Sequence, residues 1–189
     1  MTRALVFSLA ALATIAISLA AGDADAARAR FNDYTTVQDP GLGFSLAYPS
    51  GVFAPDATRS SRLGRVFVSP DGKAKLLVGA FDNGEVISLD DYRAYVLEQN
   101  YAGAAIDYAP VRKRWFVLSG QRDGTMFYER VSFTCGGRII NSWAMLYPIA
   151  ERALYDRVVE VVARTYTPGA GPNGSCQIPV PDAEAPATQ

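Results

Sequence analysis

The sequence contains no histidine, and it has only two cysteines among its 189 residues. Histidine is the usual proton shuttle near neutral pH and a common nitrogen ligand for zinc and copper. Its absence excludes the serine–histidine and cysteine–histidine nucleophile systems. A zinc site would have to rest on the two cysteines and on carboxylates. We therefore predict no catalytic residue, no cofactor and no metal ligand.

The sequence also lacks an excess of charge of either sign, since 18 basic side chains stand against 19 acidic ones. Without residues 1–26, which hold one basic and two acidic side chains, the chain has 17 of each. A neutral surface exerts no long-range attraction on nucleic acid or anionic lipid. We predict no nucleic-acid partner, and no membrane association once the N-terminal segment has been removed.

The N-terminal segment is typical of a signal peptide. Arg3 precedes a charge-free run at 4–21, and a small-x-small triplet follows at 24–26. We predict cleavage after Ala26 and a periplasmic or secreted location. The run is also just long enough for a membrane helix, although alanine, which dominates it, contributes little to insertion. A membrane-tethered structural module with a retained anchor is therefore an alternative.

Strand-like segments and turn signals alternate along much of the remaining chain. The sequence SPDGK at 69–73 separates two such segments and predicts a β-hairpin. A long strand is predicted over 125–134, and a return strand is predicted over 139–147. The return strand has apolar side chains on both faces, so we expect it to be central in a sheet and covered on both sides.

Two amphipathic helices are predicted. Ser88 and Asp91 indicate the start of the first, which continues to about Gln99, and the second covers 151–164. Residues 168–189 include five prolines and three glycines and have little to bury, so we predict a mostly disordered tail. The predicted organisation is a signal peptide at 1–26, a single domain at 27–167 and this tail.

Several motifs resemble the PsbP/Mog1-like superfamily. They are GFSLAYPSGVF at 43–53, the PDG turn at 70–72, and FYERVSF followed by GGRIINSWAMLYP and a closing amphipathic helix. The superfamily includes small exported bacterial proteins of the DcrB and PsbP-like kind. The resemblance covers about 34–166 and implies an α+β fold, with an antiparallel β-sheet flanked by α-helices on both faces. It implies no activity, since members are mostly assembly factors, extrinsic subunits or proteins of unknown role.

The two cysteines are expected to form a disulfide because an exported chain meets an oxidising compartment. Cys135 lies at a predicted hairpin turn and Cys176 lies in the predicted tail, so the bridge would attach the tail to the edge of the sheet. The chain-entropy model gives roughly 4 kcal/mol for such a bridge. Neither cysteine belongs to a Cys-x-x-Cys motif, which is the usual setting of a redox-active thiol.

Glu129 shares one face of the strand predicted at 125–134 with Phe127 and Val131. If that face is the core, Glu129 is a buried acid whose pKa is raised by desolvation. We interpret it as a partner in a salt bridge or as a residue exposed at a strand end. The alternative is a carboxylate-based hydrolase in which Glu129 acts together with a second acid.

Two further groups of residues are candidates for binding. Tyr92, Tyr95, Tyr101 and Tyr108 cluster around the first predicted helix and would make a ligand platform if they share an exposed surface. We favour rings at the core margin with hydroxyls in water. The consecutive cations at 112–114 are interpreted as a solvated turn, with a patch for an anionic polymer as the alternative.

These observations together predict a non-catalytic, exported domain that binds a protein or a small ligand. Export, charge neutrality, the missing histidine and the superfamily resemblance all favour this interpretation. A role in envelope assembly or stress tolerance is the functional context that we expect.

Overall fold

A computed structural model describes residues 29–178. The strands are β1 Tyr34–Gln38, β2 Ser45–Pro49, β3 Ala54–Pro55, β4 Gly64–Val68, β5 Lys75–Asp82, β6 Ala105–Tyr108, β7 Val111–Arg112, β8 Trp115–Arg122, β9 Thr125–Thr134 and β10 Ile139–Pro148. The α-helices are α1 Leu89–Asn100 and α2 Arg152–Thr165. The predicted signal peptide lies outside the described residues. Within them, no helix is long and apolar enough to cross a membrane.

The main sheet is antiparallel and has the strand order β3-β4-β5-β10-β9-β8-β6, with β7 paired to β8. A separate two-stranded sheet joins β1 and β2. Strand β9 has the predicted bounds, and β10 lies at the centre of the sheet as expected. Because one helix lies on each face, the predicted α+β class and the α/β/α arrangement are confirmed.

The hairpin between β4 and β5 is closed by the turn chemistry that the sequence indicates. The hydroxyl of Ser69 donates to Asp71 at 2.6 Å and accepts from the backbone N–H of Ala74 at 2.9 Å. Gly72 has a φ of +73°, a left-handed conformation that glycine adopts without steric cost. These contacts fix the register of two strands that form the floor of the site described below.

One face of the sheet is closed by α2 together with the β1–β2 hairpin and its flanking loops. Helix α2 buries Tyr155, Val158, Val159 and Val162. Among the described residues, 22 buried apolar side chains form this core. Trp143 of β10 lies at its centre and is fully buried. We call this side the closed face.

The other face is covered by α1, which lies over the β8 side of the sheet and buries only Val96 fully. Its N-terminus begins where predicted, since the Ser88 hydroxyl accepts from the backbone N–H of Asp91 at 3.1 Å. A helix of this length spans roughly 18 Å, which leaves part of the sheet uncovered. The expectation that β10 is covered on both sides is wrong here, because Ser142 and Ala144 remain partly exposed. We call this side the open face.

Residues 168–178 pack against the domain, so the prediction of a mostly disordered tail is wrong for this stretch. The Asn141 side chain accepts from the backbone N–H of Gly169 at 2.6 Å and donates to its carbonyl at 3.1 Å. Ile178 is buried in the core of the closed face. The proline- and glycine-rich composition of this segment suggested few side chains that could be buried. The Asn141 amide and the Cys135–Cys176 disulfide nevertheless hold it against the domain. Residues 179–189 lie outside the described residues.

Candidate functional site

The uncovered part of the open face forms a cleft of about 630 Å³. Strands β4, β5, β9 and β10 form its floor, and the chain before β4 and the residues after α1 form its walls. The apolar side chains that line it are Leu63, Val66, Leu77, Phe81, Phe127, Ala144 and Leu146. A concave, mostly apolar surface with a few convergent polar groups is typical of a binding site for a small molecule.

Glu129 is the acid on the floor of this cleft. It lies in the middle of β9, opposite Ala144 of β10, and only 6% of its surface is exposed. The Tyr101 hydroxyl donates to Oε2 at 2.7 Å, and the Ser142 hydroxyl donates to Oε1 at 2.7 Å. Both carboxylate oxygens are therefore fixed by neutral donors, and the carboxylate plane has a defined orientation.

The pKa of Glu129 is raised, and desolvation by burial is the dominant cause. The hydrogen bonds from Ser142 and Tyr101 oppose this effect, since they stabilise the charged form. Glu129 is thus the buried acid that strand alternation indicated. The favoured interpretation was wrong, because the partners of Glu129 are hydroxyls rather than a cation and its position is mid-strand rather than at an end.

Tyr101 is held in place by its ring as well as by its hydroxyl. It is the C-terminal cap residue of α1, and its ring stacks on Phe127 with a centroid distance of 4.1 Å. Burial raises its pKa far above the ordinary value, and the neighbouring Glu129 charge raises it further. Tyr101 therefore stays protonated and acts only as a donor toward Glu129.

Glu129 makes its hydrogen bonds with hydroxyl groups rather than with a second acid. Asp123 is the other acid among the described residues lining the cleft, and neither oxygen of Glu129 is bonded to it. Across 29–178, no group of three or more acids or cysteines is placed to hold a metal ion.

Three arginines border the cleft, and each is tied to the protein. Arg65 pairs with the buried Asp39 at 2.7 Å. Arg59 pairs with Asp56 at 3.5 Å. Arg122 donates to the carbonyl oxygen of Ala102 at 3.2 Å, which anchors the chain after α1. Arg59 and Arg122 are thus tied to the walls of the cleft, whereas the Arg65 side chain is directed toward the closed face, where Asp39 lies in the β1–β2 loop.

The four tyrosines proposed as a platform do not share one surface. Tyr92 packs against Phe81, and Tyr95 stacks on Tyr92 with 56% of its own surface exposed. Burial is the main cause that raises the pKa of Tyr92, to about 12. Tyr108 is paired with Ser119 at the far side of the sheet, on the closed face. Tyr101 alone among the four contributes to the cleft.

The predicted disulfide between Cys135 and Cys176 is present, with a Cα–Cα distance of 5.5 Å. Cys135 follows β9 directly, and Gly136 and Gly137 have φ values of +70° and +97° in the turn to β10. The paired glycines therefore serve the turn, while the cysteine anchors the segment that follows α2. This role is structural.

Sequence reasoning missed Ser142 as a partner of Glu129. The signal that could have found it is the hairpin between β9 and β10. Once the turn at 135–138 is assumed, Glu129 lies opposite Ala144, and Ser142 becomes its diagonal neighbour on the same face.

Comparison with solved structures identifies the fold. PsbP (CyanoP) of Synechocystis sp. is 14% identical, covers 72% of this chain and 92% of its own, and has a TM-score of 0.54. The Saccharomyces cerevisiae Ran-binding protein Mog1p is 12% identical, covers 71% and 94%, and has a TM-score of 0.50. No family model and no curated protein matches the sequence. The chain has a PsbP/Mog1-like fold, which confirms the resemblance at the level of the fold.

Proposed function

We propose that this protein is an exported, non-catalytic domain that binds a small, mainly apolar ligand in the cleft of the open face. The observation that carries the proposal is the cleft itself, with its apolar walls and the fixed carboxyl group of Glu129 on its floor. A place in envelope assembly or stress tolerance belongs to the same proposal.

The chemistry of the cleft favours a ligand with one polar group. A carboxylate oxygen has two lone pairs, so each oxygen of Glu129 can accept a further hydrogen bond beside the one it already accepts. If Glu129 is protonated, it can also donate one. A hydroxyl or an amine on an otherwise apolar molecule would satisfy this acid while the aliphatic and aromatic walls contact the remainder.

Export and the absence of catalysis rest on separate observations. The Cys135–Cys176 bridge is typical of proteins in oxidising compartments, which agrees with the signal-like segment at 1–26. The sequence has no histidine, and the groups hydrogen-bonded to Glu129 are two hydroxyls rather than a second acid or a base.

A blocking substitution tests the proposal. Ala144 lies on the cleft floor directly opposite Glu129, so Ala144→Phe should fill the space above the acid. Ala94→Phe introduces the same side chain at an exposed position of α1 and is the matched control. Binding is measured with a neutral dye whose fluorescence rises in apolar surroundings, and circular dichroism verifies the fold of each variant.

We expect saturable dye binding by the native protein and by Ala94→Phe, and at least a tenfold loss of affinity in Ala144→Phe. Equal binding by all three proteins would place the dye elsewhere and contradict the proposal. Native mass spectrometry of the protein recovered from an oxidising compartment should also reveal a bound small molecule that Ala144→Phe has lost.

A further inference from the structure

Four polar groups on the closed face have no hydrogen-bond partner within residues 29–178. They are Nε of Arg130, Oγ of Ser132, Nε1 of Trp143 and the hydroxyl of Tyr166. Trp143 is fully buried, and Ser132 and Tyr166 are 5% and 8% exposed. Since buried polar groups are paired in the great majority of cases, four such groups on one face require an explanation.

The register of the sheet brings these groups together. Arg130 of β9 lies directly opposite Trp143 of β10, and Ser132 lies two residues further along β9 on the same side. The ring of Tyr166 packs edge-on against Trp143 with a centroid distance of 6.1 Å. Burial raises the pKa of the Tyr166 hydroxyl, and the positive charge of Arg130 opposes this effect. We call these four side chains the donor cluster.

Two guanidinium groups lie over one aromatic ring beside the donor cluster. The guanidinium of Arg130 stacks over the ring of Trp115 at 4.9 Å, and that of Arg112 lies over the same ring at 5.9 Å. Trp115 is opposite Ser132 in the β8–β9 register, so the ring adjoins the donor cluster. A recess lined by residues 112–115 opens beside it. Neither arginine forms an ion pair with an acid among the described residues.

We propose that the donor cluster, with Arg112 at its edge, binds a phosphate group. Each of its four groups can donate a hydrogen bond, and two of them, the guanidinium and the indole, cannot accept one. The complementary ligand is therefore an anion with several acceptor oxygens. A guanidinium fixed on an aromatic ring is a suitable phosphate ligand because its planar fork binds two phosphate oxygens at once.

This site is separate from the cleft and does not depend on the proposed function. The donor cluster lies on the closed face, whereas Glu129 and the cleft lie on the open face. The neutral balance of the chain as a whole argues against a general attraction to anions. Phosphate recognition would instead be a local property of residues that the fold collects from three strands and from the end of α2.

Titration with inorganic phosphate tests the proposal, with chloride holding the ionic strength constant. The chain has two tryptophans, Trp115 and Trp143, and both adjoin the site, so intrinsic fluorescence reports binding directly. At a phosphate concentration about five times the dissociation constant, we expect the thermal midpoint to rise by about 2–4 °C. A flat fluorescence titration together with an unchanged midpoint would overturn the proposal.

Variants locate the effect. Arg130→Met keeps the aliphatic stem over Trp115 but removes the charge, and it should abolish the response to phosphate. Arg59→Met makes the same change on the open face and should leave the response intact. Tyr166→Phe removes only a hydroxyl that has no hydrogen-bond partner among the described residues. The free energy of unfolding measured without phosphate should therefore stay unchanged, while the affinity for phosphate should fall about fivefold to tenfold. An undiminished response in Arg130→Met would exclude the site.

The source of the phosphate is distinguished with vesicles. Binding to phosphatidic acid vesicles but not to phosphatidylcholine vesicles, lost in Arg130→Met, would assign the site to a lipid headgroup. A response to free phosphate without vesicle binding would assign it to a soluble phosphate compound. Both outcomes support a phosphate site at Arg130, and failure in both arms contradicts it.

Discussion

The two faces of the sheet differ in how completely they are covered. On the closed face, 22 described residues form the buried core, whereas seven form the core of the open face. Helix α2 buries four side chains and α1 buries one. Because apolar burial supplies most of the stabilising free energy, the closed face carries the stability of the domain. The open face provides the exposed concave surface on which a ligand can bind.

The composition of the two helices explains the difference. Helix α2 contains four valines along one side, and three of them are buried. Helix α1 has the sequence LDDYRAYVLEQN, in which charged and polar residues interrupt the apolar positions. A narrow apolar stripe fastens a helix to part of a sheet and leaves the remainder uncovered. The cleft is thus a consequence of a weakly amphipathic helix.

The largest effect is expected from Trp143→Ala on the closed face. Trp143 is fully buried and stacks on Tyr128 with a centroid distance of 5.0 Å, so the substitution leaves a large cavity. We expect the free energy of unfolding to fall by about 3–5 kcal/mol in urea denaturation. Leu77→Ala changes a partly exposed position on the open face and should lower the free energy of unfolding by only about 1 kcal/mol. Similar losses at both positions would show that the faces contribute equally.

Removal of the disulfide should have the next largest effect. Replacing Cys135 and Cys176 by serine should lower the free energy of unfolding by about 2–4 kcal/mol, because the bridge restricts the unfolded chain. The segment at 168–178 should also become sensitive to limited proteolysis, since it would lose its covalent anchor. Reduction of the native protein provides the control and should give the same loss. If this segment stays resistant to proteolysis in the double variant, its hydrogen bonds alone hold it against the domain.

Tyr101→Phe should have an intermediate effect on the open face. The ring still stacks on Phe127, but Oε2 of Glu129 loses its donor. We expect a loss of about 1–3 kcal/mol, because a buried acceptor is left unpaired. Tyr95→Phe, at an exposed position of α1, should change stability by less than about 0.5 kcal/mol. If Tyr101→Phe and Tyr95→Phe change the free energy of unfolding by the same amount, the hydrogen bond to Glu129 contributes nothing measurable to stability.

The smallest change is expected from Glu129→Gln and depends on pH. Burial raises the pKa of Glu129 above its ordinary value of 4.5, so folding favours the protonated carboxyl. Its contribution to stability is therefore fully present below about pH 4.5 and is lost as pH rises through the raised pKa. Glutamine stays neutral, so the variant should gain stability relative to the native protein as pH increases from 4 to 8.

The control for this experiment is Glu98→Gln, which makes the same change at an exposed position of α1. Its denaturation profile should run parallel to that of the native protein across the same pH range. A parallel profile for Glu129→Gln as well would mean that Glu129 does not titrate differently in the folded and unfolded states.

Strands and turns were predictable because their signals are local. The SPDGK turn, the N-terminal cap at Ser88 and the bounds of β9 depend on residues that are close in sequence. The disulfide was also predictable, since a chain with two cysteines has only one intramolecular pairing. The packing of 168–178 was not predictable, because the groups that hold this segment lie far away in the sequence.

Strand alternation predicted that Glu129 shares a face with apolar residues, but it could not show what lies above that face. Tyr101 reaches Glu129 from the end of α1, 28 residues earlier in the chain. The donor cluster likewise combines β9, β10 and the end of α2, which no local pattern connects. Residue type alone gave no reason to group Arg130 with Tyr166.

The sequence by itself determined the long strands β9 and β10, the helices α1 and α2, the cysteine pair and the lack of imidazole chemistry, because each depends on composition or on neighbouring residues. Only the tertiary structure decided which side of the sheet stays open and which polar groups meet there. Those outcomes depend on where α1 and α2 lie over the sheet, and helix placement follows from the packing of side chains that are distant in sequence.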